Sequence, residues 1–190
     1  MAEIPPTTDA AMGISTLDEE LHFLAGLDRS TGRRTGVYPE IKEPAWHHRE
    51  GRDVSPILLG VLRRHGVATR ADPCFVQCFN ADEVRRIRHE LGWEGRLVQL
   101  LEAAPQDAAA DPLLVAGALA TLAETADGIG PPIGRVLDAE GRPTGLVAAS
   151  HDVGFVVHPY TFRIDRLPSS PGRPTRHCMS YSPRRLLTDS

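Results

Sequence analysis

The sequence has few cysteines and few aromatic residues. Only three of its 190 residues are cysteine, and three cysteines do not make a disulfide framework. If Cys74 and Cys78 lie on one strand, they are roughly 13 Å apart at ~3.3 Å per residue, too far to form a disulfide. We interpret both as small buried hydrophobic residues. Because aromatic residues make up 5% of the chain, its core must be mostly aliphatic.

The sequence also lacks a long apolar run and an excess of basic residues. No apolar run approaches the ~20 residues that a membrane-spanning helix needs. Residues 1–11 have neither the basic start nor the apolar core of a signal peptide. The net charge is −4 and the pI is near 6.0. We therefore expect no nucleic-acid partner, no membrane span and, for the chain as written, a cytoplasmic location.

The composition divides the chain into three parts. Residues 1–13 are polar, contain two consecutive prolines and show no periodicity, so we expect them to be disordered. Residues 14–168 read as one globular domain. The tail, residues 169–190, holds five serines, three prolines and four arginines but a single acidic residue. It does not resemble the end of an α/β domain, and a frameshift near Pro168 is one hypothesis for its origin.

Apolar strands alternate with helical segments in the globular part. The predicted strands cover residues 37–42, 74–79, 96–101, 126–130 and 155–162. Predicted helices begin near Thr16, at Ser55, at Asn80, at Asp111 and at Pro143, and residues 43–52 are predicted to be a loop. This alternation indicates an α/β fold with a parallel sheet. Because no glycine-rich nucleotide loop follows any strand, a (β/α)8 barrel is the better prediction, although a complete barrel takes about 250 residues.

The first predicted strand carries a carboxylate and an ammonium group on one face. Successive side chains of a strand point to opposite faces, so Tyr38, Glu40 and Lys42 share a face. Charged residues at the end of a core strand are costly unless they are paired or hold a ligand. These residues alone leave two interpretations open, an internal Glu40–Lys42 ion pair or a ligand site.

Seven short motifs together resemble one protein family. They are STGR at 30–33, YPEIK at 38–42, WHHREG at 46–51, VQCF at 76–79, LVQL at 97–100, ADGIGP at 126–131 and VHPYT at 157–161. In this order they resemble bacterial glycerophosphodiester phosphodiesterases of the periplasmic type, over about residues 14–168. The resemblance implies an incomplete (β/α)8 TIM barrel that retains about five of eight units, strands three to seven.

The resemblance also implies a reaction and a set of site residues. The family hydrolyses glycerophosphodiesters, such as glycerophosphocholine, to an alcohol and glycerol 3-phosphate with a divalent cation, usually Ca²⁺, with Mg²⁺ as the alternative. Glu40 matches a metal-binding carboxylate, and Lys42 matches a catalytic lysine that meets the phosphate. The positions that match the substrate pocket are Gln77, Phe79, His158 and Tyr160, and His47 lies in a loop that shapes the substrate site.

Several motifs of the family have no counterpart in this sequence. The family's first strand ends in His-Arg-Gly, its second carries two further acidic metal ligands, and a second catalytic histidine precedes an aspartate. His151 and Asp152 fall in a predicted helix and do not match that pair. We therefore expect little or no activity from the chain as written. The alternative is a non-catalytic remnant that binds phosphodiesters or a partner, with self-association through exposed sheet edges. The resemblance places the parent enzyme in the periplasm or outside the cell.

Overall fold

The computed structural model describes residues 14–103, 111–115 and 117–161. The predictions of a disordered segment at 1–13 and of an irregular tail at 169–190 fall outside these residues. Among the described residues, no helix has the length and apolar character needed to cross a bilayer.

Strands and helices alternate through the described chain. In order, they are α1 (Leu17–Thr31), β1 (Glu40–Ile41), α2 (Pro44–Arg49), α3 (Val54–Arg64), β2 (Phe75–Cys78), α4 (Ala81–His89), β3 (Arg96–Leu100), α5 (Ala118–Ala123), β4 (Gly128–Gly130), α6 (Ile133–Val136), α7 (Leu146–Asp152) and β5 (Val156–Val157). A 3₁₀ turn at Pro112–Leu114 precedes α5.

The five strands form one parallel sheet in the order β1-β2-β3-β4-β5. Each strand therefore pairs with its neighbour in the chain, as expected of consecutive βα units. This confirms the predicted α/β class, the parallel sheet and the five strand positions. The outer strands are shorter than predicted. In β5 the prediction ran to residue 162, but Pro159 has no N–H to donate to a ladder.

One face of the sheet is covered by helices. Val76 and Cys78 of β2 point to this face and pack with Leu59 and Leu62 of α3 and Ile87 of α4. A second apolar cluster lies further along the sheet and contains Leu101, Leu119, Ile129, Leu146 and Phe155. Both clusters are mostly aliphatic, as the composition predicted.

The two described cysteines behave as buried hydrophobic residues. Cys74 and Cys78 are free and buried. Burial raises the pKa of the Cys74 thiol to about 12 and that of Cys78 to about 11. Neither sulfur is therefore a nucleophile at neutral pH, which confirms the structural interpretation.

The opposite face of the sheet is concave. Phe75 of β2 lies at its centre, with Tyr38 and His158 against its ring at centroid distances of 5.6 Å and 4.8 Å. The guanidinium of Arg96 from β3 lies 4.8 Å from the same ring. Residues adjacent to the two outermost strands thus meet over the centre of the sheet. This requires a strongly curled sheet, as in part of a barrel.

Local sequence signals located some helix ends correctly and others incorrectly. Asn80 caps α4 as predicted. Of the two residues that the sequence offered as the cap of α1, Ser15 and Thr16, the structure uses Thr16, in a reciprocal capping box with Glu19. The prediction that Ser55 caps α3 was wrong. Asp53 precedes that helix, and Ser55 lies inside it, buried, where its hydroxyl donates a 2.6 Å hydrogen bond to Glu83.

Three further segments differ from the predictions. Residues 43–52 were expected to be a loop but contain helix α2, which begins at Pro44, a residue suited to a first helical turn. The helix predicted from Asp111 to Glu124 is a 3₁₀ turn followed by the shorter α5. The helix predicted from Pro143 begins only at Leu146, after Gly145 in a left-handed conformation.

The three arginines of α4 lie in different environments. Arg85 is exposed and pairs with Asp82. Arg88 is only 11% exposed; it donates to the carbonyl oxygens of Trp93, Gly95 and Thr125 and to Asp127. Arg86, at 24% exposure, bridges Asp53 and Glu83. Ion pairs and hydrogen bonds to other parts of the fold therefore hold the side chains of Arg86 and Arg88.

Candidate functional site

A cavity of about 540 Å³ lies at the carboxyl ends of the first strands. Its polar lining comes from a residue of β1 and from residues that follow β1, β2 and β3: Glu40, Lys42, Glu43, Asn80 and Glu102. Phe79 and Pro44 supply part of its apolar wall. Parallel α/β sheets place their ligand sites at this end because the loops after the strands converge there.

Glu40 and Lys42 are neighbours on the rim of this cavity. Lys42 Nζ lies 3.8 Å from Glu40 Oε2, and the two side chains are 75% and 25% exposed. The ion pair that the sequence left as one interpretation is therefore present. Exposed pairs of this kind contribute little stability, about 0–1 kcal/mol. Since Lys42 remains largely in solvent, its ammonium group stays available to a ligand in the same cavity.

Gln77 and Phe79 lie on the strand beside Glu40. Glu40 and Gln77 are direct partners in the β1–β2 register, and Gln77 Nε2 donates to the carbonyl oxygen of Tyr38 at 3.4 Å. Phe79 follows β2 and lines the cavity. The structure thus brings four of the predicted site residues together: Glu40, Lys42, Gln77 and Phe79.

His158 and Tyr160 lie deeper on the concave face and are not part of the cavity lining. His158 Nδ1 is 2.8 Å from the hydroxyl of Tyr38. Burial, followed by the nearby charge of Arg96, lowers the pKa of His158 below 6.5. The Tyr160 hydroxyl donates to the carbonyl oxygen of Leu101, and its ring packs edge-to-face on Phe79 at 5.9 Å. Tyr160 is therefore linked to the cavity through Phe79.

His47 is not among the residues that line this cavity. It is half-buried on α2, and its ring packs edge-to-face on Trp46 at 4.7 Å. The neighbouring His48 contacts Asp53 at 3.1 Å. The structure therefore does not bring His47 together with Glu40 and Lys42.

Three polar cavity residues were not predicted from the sequence: Glu43, Asn80 and Glu102. Each one is the first residue after a predicted strand. The rule that sites form at the carboxyl ends of parallel strands would therefore have found them. Glu43 has a left-handed backbone with φ 45°. This conformation costs a non-glycine residue roughly 1–2 kcal/mol, and such strain is concentrated at functional sites.

The donor set of the cavity suits a hard divalent cation. Glu40, Glu43 and Glu102 offer carboxylate oxygens, and Asn80 offers an amide oxygen. Calcium and magnesium prefer oxygen ligands of these kinds. The lining therefore offers the ligand types of a divalent-cation site, although Glu40, Glu43 and Glu102, all described residues, do not bring their carboxylate oxygens within 4.8 Å of one another.

Comparison with known proteins identifies the family. Residues 2–181 match the glycerophosphoryl diester phosphodiesterase family. A glycerophosphodiester phosphodiesterase of Haemophilus influenzae is 35% identical over 82% of this chain and 49% of its own length. One from Treponema pallidum is 30% identical over 82% of this chain and 50% of its own length. The chain thus spans about half the length of the curated relatives it matches.

A solved structure supports the fold. The crystal structure of a Silicibacter pomeroyi protein assigned as a glycerophosphoryl diester phosphodiesterase superimposes with a TM-score of 0.56. It is 20% identical, and the match covers 77% of this chain and 46% of that one. At this identity the likeness concerns the fold, which is an incomplete barrel of five parallel strands. By its sequence match, this chain belongs to the glycerophosphoryl diester phosphodiesterase family.

Proposed function

We propose that the cavity at Glu40 and Lys42 binds a glycerophosphodiester, as part of an enzyme that hydrolyses it to an alcohol and glycerol 3-phosphate. The proposal rests on family membership. The observation that carries it is the carboxylate–ammonium pair, 3.8 Å apart, on the rim of a 540 Å³ cavity. A cation is bound by negatively charged groups, and a phosphodiester is bound by positively charged groups. A site that binds both together therefore needs one group of each charge at the same place.

Each residue has a distinct role in this proposal. Glu40 would hold a divalent cation, with Glu43, Asn80 and Glu102 in the same cavity lining, and we propose Ca²⁺ over Mg²⁺ because Ca²⁺ accepts the more flexible arrangement of ligands. The bound cation supplies charge that polarises the phosphoryl oxygens. Lys42 neutralises the phosphate as a point charge. The Phe79 ring offers an apolar wall to the carbon chain of the ligand.

We further propose that this chain binds its ligand better than it turns it over. Phosphodiester hydrolysis needs a general base for the nucleophile and a general acid for the leaving group. Within the described residues, no histidine lines the cavity, and His158 and His47 lie outside its lining. Turnover of glycerophosphocholine should therefore fall well below the ~1 to 1,000 per second of ordinary enzymes.

Calorimetric titration with glycerophosphocholine tests the site. Binding is expected in Ca²⁺, weaker in Mg²⁺ and lost with a chelator. Glu40→Gln should weaken it at least ~10-fold, because the variant keeps the shape of the side chain but loses a charged ligand. Glu20→Gln on α1 is the matched control, since Glu20 is exposed and does not line the cavity. Equal affinity in Glu40→Gln and the unmodified chain would refute the site.

A second candidate function is association with another chain. Within the described sheet, β1 and β5 each pair on one side only. Unpaired strand edges are templates for pairing with a further strand. Analytical ultracentrifugation over a wide concentration range tests this: a monomer at every concentration contradicts self-association.

A further inference from the structure

A second group of potential metal ligands lies where α1 meets the end of α3. Asp18 and His22 are one turn apart on α1, and His65 directly follows α3. His65 Nε2 is 3.0 Å from Asp18 Oδ1, and His22 Nδ1 is 3.9 Å from Asp18 Oδ2. One ligand atom from each residue lies within 4.8 Å of the other two. The two imidazole rings meet edge-to-face at 5.0 Å.

We propose that Asp18, His22 and His65 bind a zinc-class transition-metal ion that bridges α1 and α3. Two imidazole nitrogens and one carboxylate oxygen form a ligand set typical of Zn²⁺. Bonds of about 2.0–2.1 Å in a tetrahedral arrangement place ligand atoms roughly 3.3 Å apart. The observed 3.0 Å separation already lies close to this value, and the 3.9 Å separation needs a small closure.

The three side chains can make this closure at low cost. His22 is 76% exposed, so its ring can turn without disturbing the core. His65 is 15% exposed and already contacts Asp18, so its ring is held in position. A bound metal ion would take the place of the hydrogen bond that now joins His65 to Asp18.

A second cluster of potential metal ligands among the described residues differs from the cluster at Asp18. His48, Asp53 and Glu83 also lie within reach of a common point. There, however, the Arg86 guanidinium already bonds both carboxylates, at 2.8 Å to Glu83 Oε1 and 3.2 Å to Asp53 Oδ1. The guanidinium neutralises one of the two negative charges and occupies carboxylate oxygens that a metal ion would need. At Asp18 the competing arginine, Arg64, is 63% exposed and 3.4 Å away, so it can be displaced.

A bridge at this place would have a structural consequence. Of the 15 residues of α1, Leu21 is the buried one. A helix with so little buried surface is held weakly to its neighbours. A metal ion bound to α1 and to the residue after α3 stabilises only the docked arrangement, so it should raise the melting temperature with metal concentration.

Titration of the full chain with Zn²⁺, and with Co²⁺ as a spectroscopic substitute, tests the proposal. One equivalent of Co²⁺ should give the intense visible absorption of tetrahedral coordination. His22→Ala and His65→Ala should each weaken the binding of both metals ~10-fold or more. His22 is exposed, so its variant should fold normally. His89→Ala, which removes an exposed histidine at the end of α4, is the matched control and should bind like the unmodified chain.

Two further variants sharpen the test. Arg64→Gln removes a competing donor from Asp18 and should strengthen metal binding. Glu40→Gln should leave the tetrahedral Co²⁺ absorption unchanged, which separates this site from the phosphodiester cavity. The proposal is overturned if Zn²⁺ binds equally well to His22→Ala and the unmodified chain. It is also overturned if only octahedral Co²⁺ spectra appear, or if the melting temperature does not respond to Zn²⁺.

Discussion

The hydroxyl of Tyr38 and Nδ1 of His158 form a hydrogen bond of 2.8 Å, which joins the segment before β1 to the segment after β5. These strands are the two outermost of the described sheet. Burial raises the pKa of Tyr38 and lowers that of His158. Both groups are therefore neutral at pH 7. The contact closes the concave face over Phe75 and holds the sheet in its curved form.

Removing the Tyr38 hydroxyl should destabilise the sheet modestly. Tyr38→Phe keeps the ring against Phe75 but loses the hydrogen bond, at an expected cost of about 1 kcal/mol in the free energy of unfolding. Urea unfolding measures this cost. In a double-mutant cycle, Tyr38→Phe should cost much less when His158 is already Gln. Equal costs in the two backgrounds would show that the hydrogen bond contributes nothing.

Acidification should weaken the fold through His158. Its pKa in the folded protein lies below the ordinary 6.5. Between these two values the unfolded chain binds a proton that the folded chain does not, so the free energy of unfolding falls as the pH drops through this window. Above the ordinary pKa the contribution of this group is constant. Urea unfolding across the window should give a smaller pH dependence for His158→Gln than for the unmodified chain. Identical slopes would contradict the assignment.

Two arginines on one helix should differ sharply in their effect on stability. Arg88→Met removes the partner of several buried oxygens, including Asp127 at 2.7 Å. Because Asp127 keeps Arg70 and the Leu97 N–H as partners, we expect a loss of about 2–3 kcal/mol, below the range for a fully orphaned buried charge.

The control for this prediction is Arg85→Met on the same helix. Arg85 is 61% exposed and pairs only with exposed Asp82, so its removal should change stability by less than ~0.5 kcal/mol. Thermal or urea unfolding compares the two variants directly. If both cost the same, the buried network around Arg88 does not stabilise the fold.

A methyl group at Gly128 should be poorly tolerated. An alanine Cβ there would meet the Val156 carbonyl oxygen of the neighbouring strand at less than a non-bonded distance. Since the obstacle is backbone, β4 and β5 must separate, and we expect a cost of about 1–3 kcal/mol. Gly134→Ala on α6 is the matched control, because a Cβ there meets nothing within 4 Å. That variant should be neutral or stabilise by up to about 1 kcal/mol.

Features that depend on neighbouring residues in the chain were predictable from the sequence. The caps at Thr16 and Asn80 join groups three residues apart, so their hydrogen bonds follow from local spacing. The cap predicted at Ser55 failed for the opposite reason. Its hydroxyl bonds Glu83 across 28 residues, and no local pattern signals such a partner.

In the candidate site, too, some features were predictable from the sequence and others were not. The motif at residues 38–42 placed Glu40 and Lys42 together, and the register with β2 brought Gln77 beside them. The separation of His47 from this group follows from α2, which holds its ring against Trp46. That helix lies in a segment too short and too polar to show a helical period.

The sequence by itself determined the alternation of strands and helices, the parallel sheet and the family. These depend on apolar runs, turn residues and short motifs that can be read along the chain. Only the tertiary structure decided which charged groups are buried, which residues line the cavity and which histidines face a carboxylate. Burial and charge pairing depend on contacts between residues distant in sequence. Arg88 and Arg85 are three positions apart, yet one is enclosed by protein oxygens and the other faces solvent.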